Sequence, residues 1–281
     1  TPSEIASAAR IMRRKALRVE ADFDVVDTCG TGGDNQSTFN ISTATAFVLA
    51  GAGHKVAKHG NRSVSSSSGS ADCLESLGVP IDLGPEEAAG ALKEKGFAFL
   101  FAPSYHPSMK YAMPARKQLG IKTVFNILGP LSNPAGAAYQ LIGVFSRDLI
   151  QPIIECLRLL GLKGAMVVHS GMDEVCISRP TEYARLSQGE ITTGVIRPEQ
   201  AGIHAEPLDE LRVGTPQESA RLIEAVFKGR LKGPCLDSIL INAAAAFMAC
   251  GTAADIRQGM DIAADVIRDG RALAALERVK R

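Results

Sequence analysis

The sequence has no excess of either charge: 31 Lys and Arg stand against 30 Asp and Glu, a formal net charge of +1 over 281 residues. Proteins that grip nucleic acid are usually strongly basic, so no nucleic-acid partner is expected. A local group of cations can still hold a small anion. The six cysteines, Cys29, Cys73, Cys156, Cys176, Cys235 and Cys250, show no C-x-x-C spacing. Neither a zinc site nor a disulfide framework is supported, and a reducing cytoplasm is the expected compartment. No H-E-x-x-H pair, no G-x-S-x-G elbow and no readable Cys–His pairing occurs, so no nucleophile and base can be named. No signal peptide is expected from the residues present. The longest helix-like uncharged run, Ser238 to Ala254, contains Asn242 and Gly251. It falls short of the ~20 apolar residues that cross a bilayer, and no membrane association is expected. The other long uncharged run, Thr123 to Ser146, is broken by Pro130 and Pro134.

What is present is enough apolar material for a sizeable core, 46% of residues, arranged as strands alternating with helices. Thr1-Pro2-Ser3-Glu4 reads as a capping box opening a helix, with Ile5, Ala8, Ala9, Met12 and Ala16 on one face. Short apolar strands are expected at Asp24 to Asp27, Lys55 to Lys58, Phe97 to Phe101, Tyr139 to Phe145 and Ala165 to Val168. Helices are expected at Ser42 to Ala50, Ala71 to Leu77, Pro85 to Lys95 and Asp148 to Leu160. That order predicts an α/β fold with a mainly parallel sheet covered on both faces. From Glu174 to Ile196 short β-rich pieces predict an antiparallel excursion. Pro216 to Lys228, Pro234 to Cys250 and Ala253 to Asp269 then read as helices.

Five places carry chemistry. Gly30-Thr31-Gly32-Gly33-Asp34 joins a strand to a helix, and its three glycines free backbone N–H groups to cradle a phosphate; alternatively it is a tight βα turn. It matches neither G-x-G-x-x-G, since Asn35 stands where glycine is needed, nor the G-K-[ST] of a nucleotide loop. Asn40-Ile41-Ser42-Thr43 opens the next helix, where a hydroxyl either caps the helix or ligates Mg²⁺. Lys58 to Ser66, with Gly69 and Ser70, gathers Lys58, His59, Asn61 and Arg62 in one loop after a strand, which favours anion and ribose binding over a plain solvated loop. Asp173-Glu174 is a solvated turn unless a polyphosphate brings a metal to it. Arg116 is a surface side chain or a bidentate partner for a carboxylate.

Taken in order, Asp27 to Asp34, Thr38 to Thr43, Lys58 to Ser66 and Gly69 to Asp72 resemble the anthranilate phosphoribosyltransferase family, as do Ala102-Pro103, His106-Pro107 and Arg116 to Leu131. Asp173-Glu174 fits the family's metal-binding pair. The resemblance runs from the first helix to the C-terminal helices. It implies transfer of a phosphoribosyl group from phosphoribosyl pyrophosphate (PRPP) to the amine of anthranilate. PRPP would contact Gly30, Gly33, Asp34, Thr38, Asn40, Ile41, Ser42, Thr43, Lys58, His59, Gly60, Asn61, Arg62, Ser63, Val64, Ser65, Ser66 and Ser70. Anthranilate would meet Asn61 and Arg116, with Gly30, His59 and Gly129 along its path. Mg²⁺ would use Ser42, Asp173 and Glu174.

The resemblance further implies a mixed, mainly parallel sheet flanked by helices in a large domain, 21–281. A small helical domain would include 1–20 and further helices from about 75–130. The family has more helices before the one that opens here, so the small domain is expected to be shortened. The homodimer it carries would then be weakened, with Ile5 and Met12 on an uncovered surface. Ser67 stands where the family often has Lys, and Asn35 where it often has Gly. Two other readings use the same fold: a pyrimidine nucleoside phosphorylase and a non-enzymatic nucleic-acid binder. The acidic pair and the Asn40 to Thr43 motif oppose the first, and the charge balance opposes the second.

Overall fold

The computed structural model describes residues 1–32, 36–63, 68–121, 123–204 and 207–280, without the side chains of 115–117. Among them, strands β1 (Val25–Gly30), β2 (Lys55–Gly60), β3 (Phe97–Phe101), β4 (Tyr139–Gly143), β5 (Gly164–His169), β6 (Thr181–Ser187) and β7 (Glu190–Ile196) form one sheet in the order β3-β2-β1-β4-β5-β6-β7. The first five run parallel, and β6 and β7 add an antiparallel hairpin at one edge. The expected mainly parallel sheet and the excursion after Glu174 are both present.

The helices are α1 (Pro2–Lys15), α2 (Ile41–Gly51), α3 (Ser70–Ser76), α4 (Pro85–Lys95), α5 (Ala102–Tyr105), α6 (Met113–Leu119), α7 (Phe125–Leu128), α8 (Ile150–Leu159), α9 (Pro216–Phe227), α10 (Pro234–Ala249), α11 (Ile256–Arg268) and α12 (Arg271–Val279). Local chemistry sets many of their ends. Thr1 and Glu4 form the expected capping box on α1, and Gly96, at φ 82°, closes α4 in the left-handed region that favours glycine. Helix α12 lies beyond the elements expected from sequence. It follows Gly270 and buries Ala272, Ala275, Leu276 and Val279.

Alternate strand residues build the two faces. Val26, Val56, Phe97, Phe99, Leu141, Met166 and Val168 join a core with α2, α3 and α9 to α12. Val25, Ala57, Ala98 and Leu100 meet α4 on the opposite face, where Ile142, Ala165 and Val167 meet α1, α7 and α8. Every residue of α10 from Ser238 to Ala249 is buried. Its alanines let neighbours approach closely: a Cβ at Gly259 of α11 would lie 2.7 Å from the Ala244 Cα. Ile5 and Met12 are not uncovered; they pack half-buried against the α8 cluster. The exposed apolar side chains of this region are Ile11 and Leu17, 51% and 48% exposed.

Candidate functional site

The chain leaves β1 toward β2 on one side, and β4 leads to β5 on the other. The sheet's switch point therefore lies between β1 and β4, at their carboxyl ends, where open α/β sheets bind ligands. Here Gly30 pairs with Gly143, and both glycines are required by Asp173. A Cβ on Gly143 would lie 1.5 Å from the Asp173 carbonyl oxygen, and one on Gly30 would lie 2.1 Å from its carboxylate. Asp173 Oδ2 accepts a hydrogen bond from the Gly32 N–H at 2.8 Å. The acidic pair, 141 residues away in sequence, thus stands directly on the glycine loop. Two contacts hold the pair's loop from below. Asn242 of α10 is fully buried, accepts from the Val175 N–H and donates to the Val175 carbonyl, both at 2.9 Å. Ser170 donates to the Glu174 carbonyl at 2.8 Å.

Ser42 sits in the first turn of α2, and Lys58 reaches it from β2. Lys58 is only 1% exposed; its ammonium donates to the Thr28 carbonyl and to Ser42 Oγ, the latter at 3.2 Å. Burial lowers the ammonium's pKa, while Asp27, Cys29 and Glu174 raise it. Asp27, equally buried, accepts from Asn133 Nδ2 at 2.8 Å and from the His59 N–H at 3.2 Å. Burial raises its carboxyl to about 6, and nearby Lys58 and these donors oppose the rise.

The loop after β2 is tied to the helices behind it. Arg62 pairs with Asp72 and Glu75, each at 2.6 Å, and Asp72 accepts from the Ser63 N–H at 3.1 Å. Asn61 Oδ1 takes the Arg62 N–H, and Ser70 Oγ donates to the Asn61 carbonyl. Asn40 bonds Ser68 of this same loop through both of its side-chain atoms. Thr38 bridges to Arg212. Ile41 is buried in the core, so only its backbone faces the loops. Thr43 is buried as well, and its hydroxyl has no partner among the described residues.

On the other side of β2, His59 Nδ1 lies 3.1 Å from the Gly129 carbonyl, and its ring is 5.1 Å from that of His106. Burial first, then His106 and Lys58, lowers its pKa to about 3. The ring is therefore neutral, and a carbonyl can only accept, so the proton sits on Nδ1 and Nε2 is an acceptor. Nε2 is buried without a partner among the described residues. Gly33, Asp34, Val64, Ser65 and Ser66 lie outside the described residues, as does the side chain of Arg116, whose backbone belongs to α6.

The donors fit a hard divalent cation. Ser42, Asp173 and Glu174 offer only oxygen, and the buried network of Lys58 links the Ser42 hydroxyl to the field of Glu174. No group of three or more His, Cys, Asp or Glu that could hold a metal occurs among the described residues. Two carboxylates and a hydroxyl suit Mg²⁺, which usually takes one or two carboxylates and shares the rest of its shell with water and substrate phosphates. The motif reading missed Asn242, Asn133 and Ser219, whose hydroxyl accepts from the Asn40 N–H at 2.9 Å and donates to Asn40 Oδ1 at 2.7 Å, as supports of this site. For Asn242 a signal existed, an amide inside an otherwise apolar run; for the others nothing local distinguishes them.

A switch-point site between glycine-lined strand ends, on a sheet of this order, defines a class first. Residues 22–273 match the α/β domain of a glycosyl transferase family. The chain is 50% identical over 280 residues to anthranilate phosphoribosyltransferase of Desulfatibacillum aliphaticivorans, covering 99% of this chain and 82% of that one. It is 48% identical over 281 residues to the Persephonella marina enzyme of the same name, covering 99% and 83%. The crystal structure of anthranilate phosphoribosyltransferase from Thermus thermophilus superposes with a TM-score of 0.93 at 42% identity, covering 99% of this chain and 84% of that one. The Saccharomyces cerevisiae enzyme in complex with PRPP and Mg gives 0.92 at 30% identity, covering 99% and 79%. The chain belongs to the anthranilate phosphoribosyltransferase family.

Proposed function

We propose that this chain transfers the phosphoribosyl group of PRPP to the amine of anthranilate, giving N-(5-phosphoribosyl)anthranilate and pyrophosphate, in tryptophan biosynthesis. The observation that carries this reading is the seating of Asp173 on the Gly32 N–H, across two strand ends where any side chain would collide. A glycine loop, a helix N-terminus and an acidic pair then share one small volume, as a metal-bound pyrophosphate requires. The loops at 30–43 and 58–70 take the phosphates and ribose. Ser42, Asp173 and Glu174 would hold Mg²⁺, which when bound neutralises charge on the leaving pyrophosphate. Lys58 orients the Ser42 hydroxyl from beneath.

The acceptor is an aromatic amine, uncharged near neutral pH, so catalysis needs position more than a strong base. His59 fits that demand. It is neutral and held by the Gly129 carbonyl, so it borders the acceptor's path without adding charge. Asn61 and Arg116 take the carboxylate, since a guanidinium suits that group. In this reading 1–20 and the helices within about 75–130 form a small helical subdomain beside the acceptor. A homodimer through that subdomain is supported by the exposed Ile11, Leu17, Met113, Leu119 and Ile121. A cytoplasmic location is part of this proposal; no helix among the described residues is long and apolar enough to cross a membrane.

An assay with PRPP, Mg²⁺ and anthranilate tests the activity, with thymidine plus phosphate as the control. PRPP-dependent consumption of anthranilate is expected. Cleavage of thymidine by phosphate, with anthranilate untouched, would replace this reading with a nucleoside phosphorylase. Sedimentation velocity over a concentration series tests the dimer, and a monomer throughout would remove it.

A further inference from the structure

We propose that Ser219, on α9, is a positioning residue for the phosphate end of the site. It holds the Asn40 side chain away from the first turn of α2 and so keeps the Ser42 amide for an anion, the Ile41 and Thr43 amides already donating to the Phe39 and Asn40 carbonyls at 2.7 and 3.0 Å. The inference rests on the PRPP reading above. Asparagine is among the strongest helix N-caps, because its side-chain oxygen accepts from the amides of the first turn. Asn40 is the N-cap of α2, yet its side chain makes no bond to that helix. Its oxygen is taken elsewhere. Asn40 Oδ1 accepts from Ser219 Oγ at 2.7 Å and from Ser68 Oγ at 2.6 Å. Its Nδ2 donates to the Ser68 carbonyl at 3.1 Å, and its backbone N–H donates to Ser219 Oγ at 2.9 Å.

Ser219 is 0% exposed, with the Cys73 thiol 3.5 Å from its hydroxyl, so its position is fixed by packing. The chain reaches this arrangement through a short antiparallel pairing. The Phe39 N–H donates to the Leu211 carbonyl at 2.7 Å, and the Val213 N–H to the Ser37 carbonyl at 2.9 Å. Helix α9 starts at Pro216 immediately afterwards. One hydroxyl from the C-terminal half thus engages the residue that joins the loop after β1 to the loop after β2.

The consequence is specific. Without the Ser219 hydroxyl, Asn40 Oδ1 keeps only Ser68, and once its ψ relaxes from 72° toward the extended range of a capping residue, rotation toward α2 gains the ordinary cap bond. The cap then competes with a phosphate for the Ser42 amide. Phosphate affinity should suffer more than stability, since the new cap offsets part of the lost bonding. A purely structural serine would do the reverse.

The test measures Ser219→Ala in the full chain against wild type and against Ala220→Gly, a destabilising control on the same helix. Expected for Ser219→Ala is a rise of about tenfold in KM for PRPP and in Kd for Mg²⁺ plus pyrophosphate by calorimetry, the scale of one lost hydrogen bond. The kcat and KM for anthranilate should stay within about twofold. Should Ser219→Ala not fold, Ser219→Cys, which keeps a weaker donor, carries the same expectation with a smaller rise. Wild type that binds PRPP with Ser219→Ala binding equally would overturn the inference alone. So would the same KM rise in Ala220→Gly at equal loss of melting temperature. Wild type that binds no PRPP would remove the site reading and this inference together.

Discussion

The parallel strands and the antiparallel hairpin belong to one sheet but obey different rules. Strands β1 to β5 are buried on both faces, and polar side chains inside them, such as Asp27, Lys58 and His59, are near the carboxyl ends where the loops meet. In β6 buried Thr181, Ala184 and Leu186 stand among more exposed neighbours, and β7 keeps only Ile196 fully buried. The difference teaches where function is concentrated. Parallel strands need crossovers, crossovers put helices on both faces, and the loops then open together at one end of the sheet. A hairpin closes on itself and leaves no such crevice.

The sharpest way to break this comparison is at the acidic pair. Asp173→Asn with Glu174→Gln should lower kcat by about a hundredfold or more, because charge stabilisation at the leaving group is lost. Raised Mg²⁺ should restore part of it, while Glu190→Gln at the start of β7 should leave turnover unchanged. Full activity in the double variant would take the pair out of the metal site.

Next come two glycines of one sheet. Gly143→Ala places a Cβ 1.5 Å from backbone oxygen of Asp173, and backbone cannot step aside cheaply. A loss of about 3 kcal/mol is expected, with most of the activity. Gly194→Ala in β7 meets the Tyr183 side chain, its hydroxyl oxygen at 2.6 Å and two ring carbons at 2.7 and 2.9 Å; a half-buried side chain can swing aside where backbone cannot, so the loss should be about 1 kcal/mol with activity intact. Urea denaturation and steady-state rates on both variants check the contrast; equal losses would erase it.

A pH effect should follow from the buried ring. His59 has its pKa lowered to about 3, so the unfolded chain binds a proton that the folded chain refuses. Its contribution to stability is complete above the unfolded value of about 6.5 and is lost as pH falls from there toward 3. Asp27, raised to about 6, acts in the opposite sense: protonating the folded state first, it favours the fold as pH drops below 6. His59→Asn should therefore shrink the stability difference between pH 7 and pH 5 by about 2 kcal/mol. An unchanged difference would mean the ring is not held neutral. The smallest effect is expected at Val195, half-exposed in β7: Val195→Ala should fall within about 0.5 kcal/mol of wild type, with unchanged rates.

Much of the architecture is legible in local pattern. Capping chemistry marked α1, Pro85 and Gly96 bracketed α4, and the unbroken apolar run Phe97 to Phe101 is a strand buried on both faces. The turn from Gly270 into α12 escaped, because a helix that restarts almost as soon as another ends shows no loop composition. At the site, the loop motifs were visible as motifs, and their order gave the family. Their supports were not. Asn133, Ser219 and Asn242 are ordinary amides and hydroxyls whose partners lie 106, 179 and 67 residues away.

By itself the sequence determined what depends on neighbours along the chain. Helix ends follow from caps a few residues away, strands from short apolar runs, and the glycine loop from the need for unobstructed backbone. Only the tertiary structure decided what depends on neighbours in space. It set Asp173 on Gly32, buried Lys58 beneath Ser42, held His59 neutral against Gly129, and turned Asn40 from its own helix toward Ser219. Those outcomes follow from burial and from which donor meets which acceptor, and both exist only once the sheet has brought the carboxyl ends of its parallel strands together.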